Sequence, residues 1–130
     1  MADITILLVE DEASLRGLLN RYLERQGYLV VACERGRQAM DLIAAGESPF
    51  DLAIVDLTLP DISGETVVET LLNTSPLVKV IVSSGRPYST DALPELLRPR
   101  VEAMLKPYMP QALLDLIARM LAPGDQPIIS

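Results

Sequence analysis

Leu52-Ala53-Ile54-Val55-Asp56-Leu57-Thr58-Leu59-Pro60 decides the fold. Its apolar run is too short for a helix and does not alternate with polar residues. Both faces of such a segment must be covered, which is the signature of an interior strand in a parallel sheet. Working outward, runs of similar length occur at residues 4–9, 28–33, 78–82 and 101–105. The stretches between them change period. Leu15, Leu18, Leu19, Tyr22 and Leu23 make one helical stripe, and Gly27 follows as a stop signal. Ala39, Leu42 and Ile43 predict a second helix closed near Gly46. Val67, Val68, Leu71 and Leu72 predict a third, with Ser63 as N-cap. Leu113, Leu114, Ile117, Met120 and Leu121 predict the last, with Pro110 tolerated in its first turn. Between the fourth and fifth strands a short helix of about two turns is expected. Asp91 would cap it, Pro94 would fall in its first turn, and Pro99 would end it.

Strand and helix therefore alternate, which predicts an α/β fold: a parallel sheet with helices on both faces and right-handed crossovers. The chain of 130 residues is about one domain. We read residues 1–122 as that domain and 123–130 as a flexible tail. A net charge of −7, from 11 basic and 18 acidic residues, argues against direct contact with nucleic acid. No apolar run is long enough to cross a membrane, and Met1-Ala2-Asp3 does not begin a signal peptide. The single cysteine, Cys33, suits a small core position and a reducing cytoplasm. The chain has no histidine, which removes every mechanism that needs its own imidazole.

In an open parallel sheet, functional groups collect at the carboxyl ends of the strands. There the first run ends in Glu10-Asp11-Glu12, the third in Asp56, the fourth in Ser83-Ser84-Gly85, and the fifth in Lys106-Pro107. Glu10, Asp11 and Asp56 brought together would repel one another or force a proton onto one carboxyl. A divalent cation and one lysine would neutralise them. Mg2+ suits a few carboxylate oxygens combined with water and phosphate. Asp56 is then a candidate nucleophile toward phosphorus, Lys106 a point charge for a phosphate oxygen, and Ser84 a hydroxyl donor.

Taken in order and spacing, these residues resemble the receiver domain of two-component response regulators over about residues 4–121. The carriers are Glu10-Asp11, Asp56 with Pro60 and Gly64, Ser84, and Lys106-Pro107. The resemblance implies a flavodoxin-like (βα)5 doubly wound sheet in the order 2-1-3-4-5. It implies that Asp56 accepts a phosphoryl group from a phosphohistidine on a histidine kinase or histidine phosphotransfer protein. Asp11 and Asp56, with Glu10 directly or through water and the Thr58 carbonyl, would hold Mg2+. Lys106 and the switch hydroxyl of Ser84 would meet the phosphate, and the Lys106-Pro107 bond would be cis. Such a module catalyses its own phosphotransfer and slow dephosphorylation, and is not otherwise an enzyme. The pattern is most like receivers of hybrid sensor kinases or single-domain regulators. It departs at Ala103, where the family carries Tyr or Phe.

Three alternatives share some of these features. A degenerate receiver would act only as a protein-interaction module. A small aspartate-nucleophile phosphatase would place a second aspartate where Thr58 stands. A flavin-binding flavodoxin would need a hydroxyl- and glycine-rich phosphate loop where Glu10-Asp11-Glu12 stands.

Overall fold

The computed structural model describes residues 3–46 and 50–122. Five parallel strands form one sheet: β1 (Thr5–Val9), β2 (Leu29–Cys33), β3 (Leu52–Asp56), β4 (Lys79–Ser84) and β5 (Val101–Leu105). Four α-helices follow β1, β2, β3 and β5: α1 (Ala13–Arg25), α2 (Gly36–Ala45), α3 (Gly64–Thr74) and α4 (Pro110–Leu121). The strand order is β2-β1-β3-β4-β5, the flavodoxin-like order that the motif set implied. The chain winds outward from β1 to β2 and then returns to β3 on the other side. A crevice therefore opens at the carboxyl ends of β1 and β3.

Burial explains why the quoted stretch reads as it does. Every residue of β3 is buried. Ala53 and Val55 face a layer containing Ala39 of α2 and Val67, Val68 and Leu71 of α3. Leu52 and Ile54 face the opposite layer, with Leu19 and Leu23 of α1 and Leu113 and Ile117 of α4. Both edge strands are more exposed than the strands between them. Leu29 on β2 and Leu105 on β5 are exposed, whereas β1 and β4 are almost wholly buried. In α2 the stripe is partial, since Ala39 is buried but Leu42 is exposed.

The helix boundaries follow local chemistry. The Ser63 hydroxyl accepts the Glu65 N–H and caps α3. Gly27 adopts a positive φ of 93° just beyond α1, and Gly46 one of 64° at the end of α2. Pro110 is the first residue of α4. The strand β4 extends further than its apolar run, because Ser83 and Ser84 pair with Asp56 and Leu105 on the neighbouring strands.

The expected short α-helix between β4 and β5 does not form. Two 3-10 segments, Thr90–Ala92 and Glu95–Arg100, stand in its place. Ser89, not Asp91, caps the first, and Pro99 lies inside the second. Pro94 and Pro99 each lack an N–H and disfavour the α conformation in the residue before them. Too few consecutive donors remain for an α-helical ladder, and the tighter i to i+3 pattern takes over, as in Leu97 N–H to Pro94 C=O at 2.9 Å. The expected tail, 123–130, lies outside the described residues.

Candidate metal centre

The strand ends bring Glu10, Asp11, Asp56 and Lys106 to one place. One ligand oxygen from each of Glu10, Asp11 and Asp56 lies within 4.8 Å of the other two. Glu10 and Asp56 are 2% and 1% exposed, whereas Asp11 is open to solvent. Lys106 spans the two buried acids: its Nζ lies 3.0 Å from Glu10 Oε1 and 3.2 Å from Asp56 Oδ2.

The rest of the chain holds these groups by short-range bonds. The Thr58 N–H and the Thr58 hydroxyl both donate to Asp56 Oδ1, each at 2.9 Å. Leu57 N–H donates to the Ser83 carbonyl at 3.0 Å, and Lys106 N–H to the Ser84 carbonyl at 2.7 Å. The Glu12 N–H donates to Glu10 Oε2 at 3.2 Å. Arg16 reaches back from α1 to the carbonyls of Glu10 and Asp11, at 3.0 and 3.4 Å. Gly64 lies so close to the acidic loop that a Cβ there would sit 2.3 Å from the Asp56 carbonyl oxygen.

These bonds divide the two buried acids electrostatically. Burial pushes the Glu10 carboxyl up, and the Asp56 charge adds to this against the pull of Lys106 and the Glu12 N–H. Burial also acts on Asp56, but the two Thr58 bonds and Lys106 outweigh it and hold its carboxyl below the ordinary value. Lys106 is raised: burial opposes its charge, but Glu10 and Asp56 more than compensate. Of the two buried acids, Asp56 is thus the one whose charged form its surroundings favour more strongly.

The donor set fits a small hard dication. Octahedral Mg2+ needs oxygens at about 2.0–2.1 Å from the ion, so opposite ligands stand roughly 4 Å apart. The carboxylates span little more than that, and the exposed side at Asp11 leaves room for water or phosphate oxygens. Thr58 lies two residues after Asp56. Its hydroxyl and N–H reach the carboxylate itself. Ser84 is buried at the rim, and its Oγ accepts the Arg86 N–H at 3.1 Å. Ala103 is exposed on β5 and lines a shallow groove with Arg86, Pro87, Tyr88, Met104 and Leu105.

Two features escaped the sequence reading. The Thr58 bonds could have been seen as a short polar side chain folding back two residues after an aspartate. Arg16 carried a subtler signal. A basic residue in the first turn of a helix opposes the helix dipole, so it needs a partner elsewhere.

The profile of the response regulator receiver domain matches residues 6–118. This chain belongs to that family. Curated and solved receivers agree with the assignment. The transcriptional regulatory protein CssR of Bacillus subtilis is 33% identical over 117 residues, covering 90% of this chain and 51% of CssR. The receiver domain of the hybrid histidine kinase CckA superposes with a TM-score of 0.75 at 27% identity, covering 90% of this chain and 98% of that one. The response regulator TrrA of Thermotoga maritima, solved in complex with Mg(2+)-BeF, gives 0.74 at 26% identity, covering 91% and 99%. The chain spans about half the length of the curated relatives it matches first. Among the described residues of this receiver, no helix is long and apolar enough to cross a membrane.

Proposed function

We infer that this receiver accepts a phosphoryl group on Asp56 from a phosphohistidine of a histidine kinase or histidine phosphotransfer protein, in the cytoplasm. The observation that carries the reading is the pairing of one buried aspartate with a lysine and two further acids at the switch point of the sheet. Glu10, Asp11 and Asp56, with the Thr58 carbonyl, are the residues that would hold Mg2+. When bound, the ion offsets charge on the transferring phosphoryl oxygens.

In the transfer, an Asp56 carboxylate oxygen forms a bond to phosphorus while the phosphorus–nitrogen bond of the donor imidazole breaks. The bonding pair leaves with the imidazole nitrogen, and an acyl phosphate remains on Asp56. Lys106 can follow the charge from the carboxylate to a phosphoryl oxygen, since its Nζ already bonds Asp56 Oδ2. The Ser84 Oγ accepts the Arg86 N–H, so its own hydroxyl proton is available to donate to the phosphate. Beyond its own phosphotransfer and slow dephosphorylation, the receiver has no turnover in this reading. Its unit is residues 1–122, whether free or as the receiver of a larger hybrid kinase.

The test uses Mg2+ and acetyl phosphate with intact-mass spectrometry. The parent gains one phosphoryl group, beryllofluoride blocks the gain, and Asp56→Asn gains none. Equal labelling of Asp56→Asn and the parent would place the acceptor elsewhere.

A further inference from the structure

Near the carboxyl ends of β4 and β5 lie two hydroxyls that the phosphoacceptor reading does not use. Ser83 is 1% exposed, and its Oγ and the Tyr108 hydroxyl are both buried without a hydrogen-bond partner of good geometry among the described residues. They face the same side of the sheet. Ser83 follows the alternation of Ile81 toward α1 and α4, and the Tyr108 ring packs in that same layer. The Ser83 hydroxyl is also near enough to pull on the Tyr108 phenol, which burial pushes up.

The positions of these two residues link both halves of the site. Ser83 is the register partner of Asp56, and its carbonyl accepts the N–H of Leu57. Tyr108 lies two residues after Lys106, in the loop where the chain leaves the sheet edge. Of that loop, Pro107 has no N–H to donate, and Met109 is exposed. What anchors the loop is the Lys106 N–H, the Lys106 ion pairs and the Tyr108 ring. A phenylalanine beside an alanine or valine would pack here with no polar group to satisfy. Two hydroxyls at one buried point are retained at a cost unless they serve each other.

We propose that the Ser83 hydroxyl and the Tyr108 phenol form a buried positioning pair that holds Lys106 against Asp56 and Glu10. The proposal rests on the phosphoacceptor reading above. Neither residue touches the phosphate; both act through Lys106.

A double-mutant cycle tests it. Tyr108→Phe and Ser83→Ala should each weaken beryllofluoride binding in saturating Mg2+ by roughly three- to tenfold, the scale of one lost hydrogen bond. The combined variant should lose no more than either alone, and neither change should matter in a Lys106→Ala background. Mg2+ affinity without beryllofluoride should change less than beryllofluoride affinity, because both variants keep the Lys106 charge. A second readout needs no ligand. Lys79 and Lys106 are the only lysines, so their 13Cε resonances are resolved by one substitution. The Lys106 resonance should move in the same direction in both variants, while that of Lys79 stays put. An unmoved Lys106 resonance, parent-like beryllofluoride affinity, or equal losses in the Lys106→Ala background would each overturn the positioning role. Failure of the parent itself to bind beryllofluoride would instead overturn the phosphoacceptor reading.

Discussion

Replacing Gly64 by alanine adds one methyl group where the backbone leaves no space. The new Cβ would lie 2.3 Å from the Asp56 carbonyl oxygen, 2.6 Å from Leu57 Cα and 3.0 Å from the Asp56 carbonyl carbon. All three are backbone atoms, so no side chain can rotate away. Reaching even 3.0 Å requires a displacement of 3.0 − 2.3 = 0.7 Å. Both walls resist it. Val67, Val68, Leu71 and Leu72 seat α3 in the core, and the Leu57 N–H ties the acidic loop to Ser83. Any shift also lengthens the Gly64 N–H to Leu57 C=O bond, already 3.3 Å.

Overpacking of this kind costs about 1–3 kcal/mol. For a domain of this size that lowers the unfolding midpoint by roughly 3–12 °C. Because the strain falls on the Asp56 carbonyl, beryllofluoride affinity should fall as well. Gly17 supplies the control. It lies inside α1, and a Cβ there meets nothing within 4 Å. Gly17→Ala should therefore raise stability by up to about 1 kcal/mol from helix propensity alone. The pair is read by urea and thermal unfolding followed by far-ultraviolet circular dichroism. A Gly64→Ala protein that melts with or above the parent would refute the close approach of α3 to the acidic loop.

Three further outcomes follow from particular bonds. Asp61 accepts the N–H groups of Gly36 and Arg37 at the start of α2, at 3.0 and 2.8 Å, and the Arg37 bond leads in holding its carboxyl below the usual range. A depressed folded pKa stabilises above the unfolded value and is lost as pH falls through the folded one. The parent should thus exceed Asp61→Asn in stability at neutral pH, and the gap should close below about pH 4; a gap independent of pH would contradict this. Lys106→Ala leaves Glu10 and Asp56 buried without their cation, so the metal-free protein should melt earlier than the parent. Mg2+ should then raise its midpoint by more than it raises the parent's, as calorimetry can measure. Arg100 donates to the carbonyls of Val78 at 2.9 Å, Leu72 at 3.2 Å and Ser75, closing the end of α3. Arg100→Met should cost about 1–3 kcal/mol in urea unfolding without altering Mg2+ affinity.

Much of this molecule was legible before any coordinates. The apolar runs located all five strands, and the stripes located α1 to α4, because period and length report how a segment is covered. The acids and the lysine were legible too, since parallel strands carry their chemistry at one end. The segment between β4 and β5 misled, because a proline tolerated at one helical position looks the same in sequence as one that forbids the helix. What the sequence could not state was the distance between atoms far apart in the chain. Lys106 meets Glu10 across 96 residues and Asp56 across 50. Only the sheet register sets those contacts. It sets the charges around Asp56, seats Gly64 against the Asp56 carbonyl, and puts Ser83 in the layer where Tyr108 packs. Local patterns record what each residue does to its own backbone; the energy of a buried charge or hydroxyl depends on which distant groups surround it.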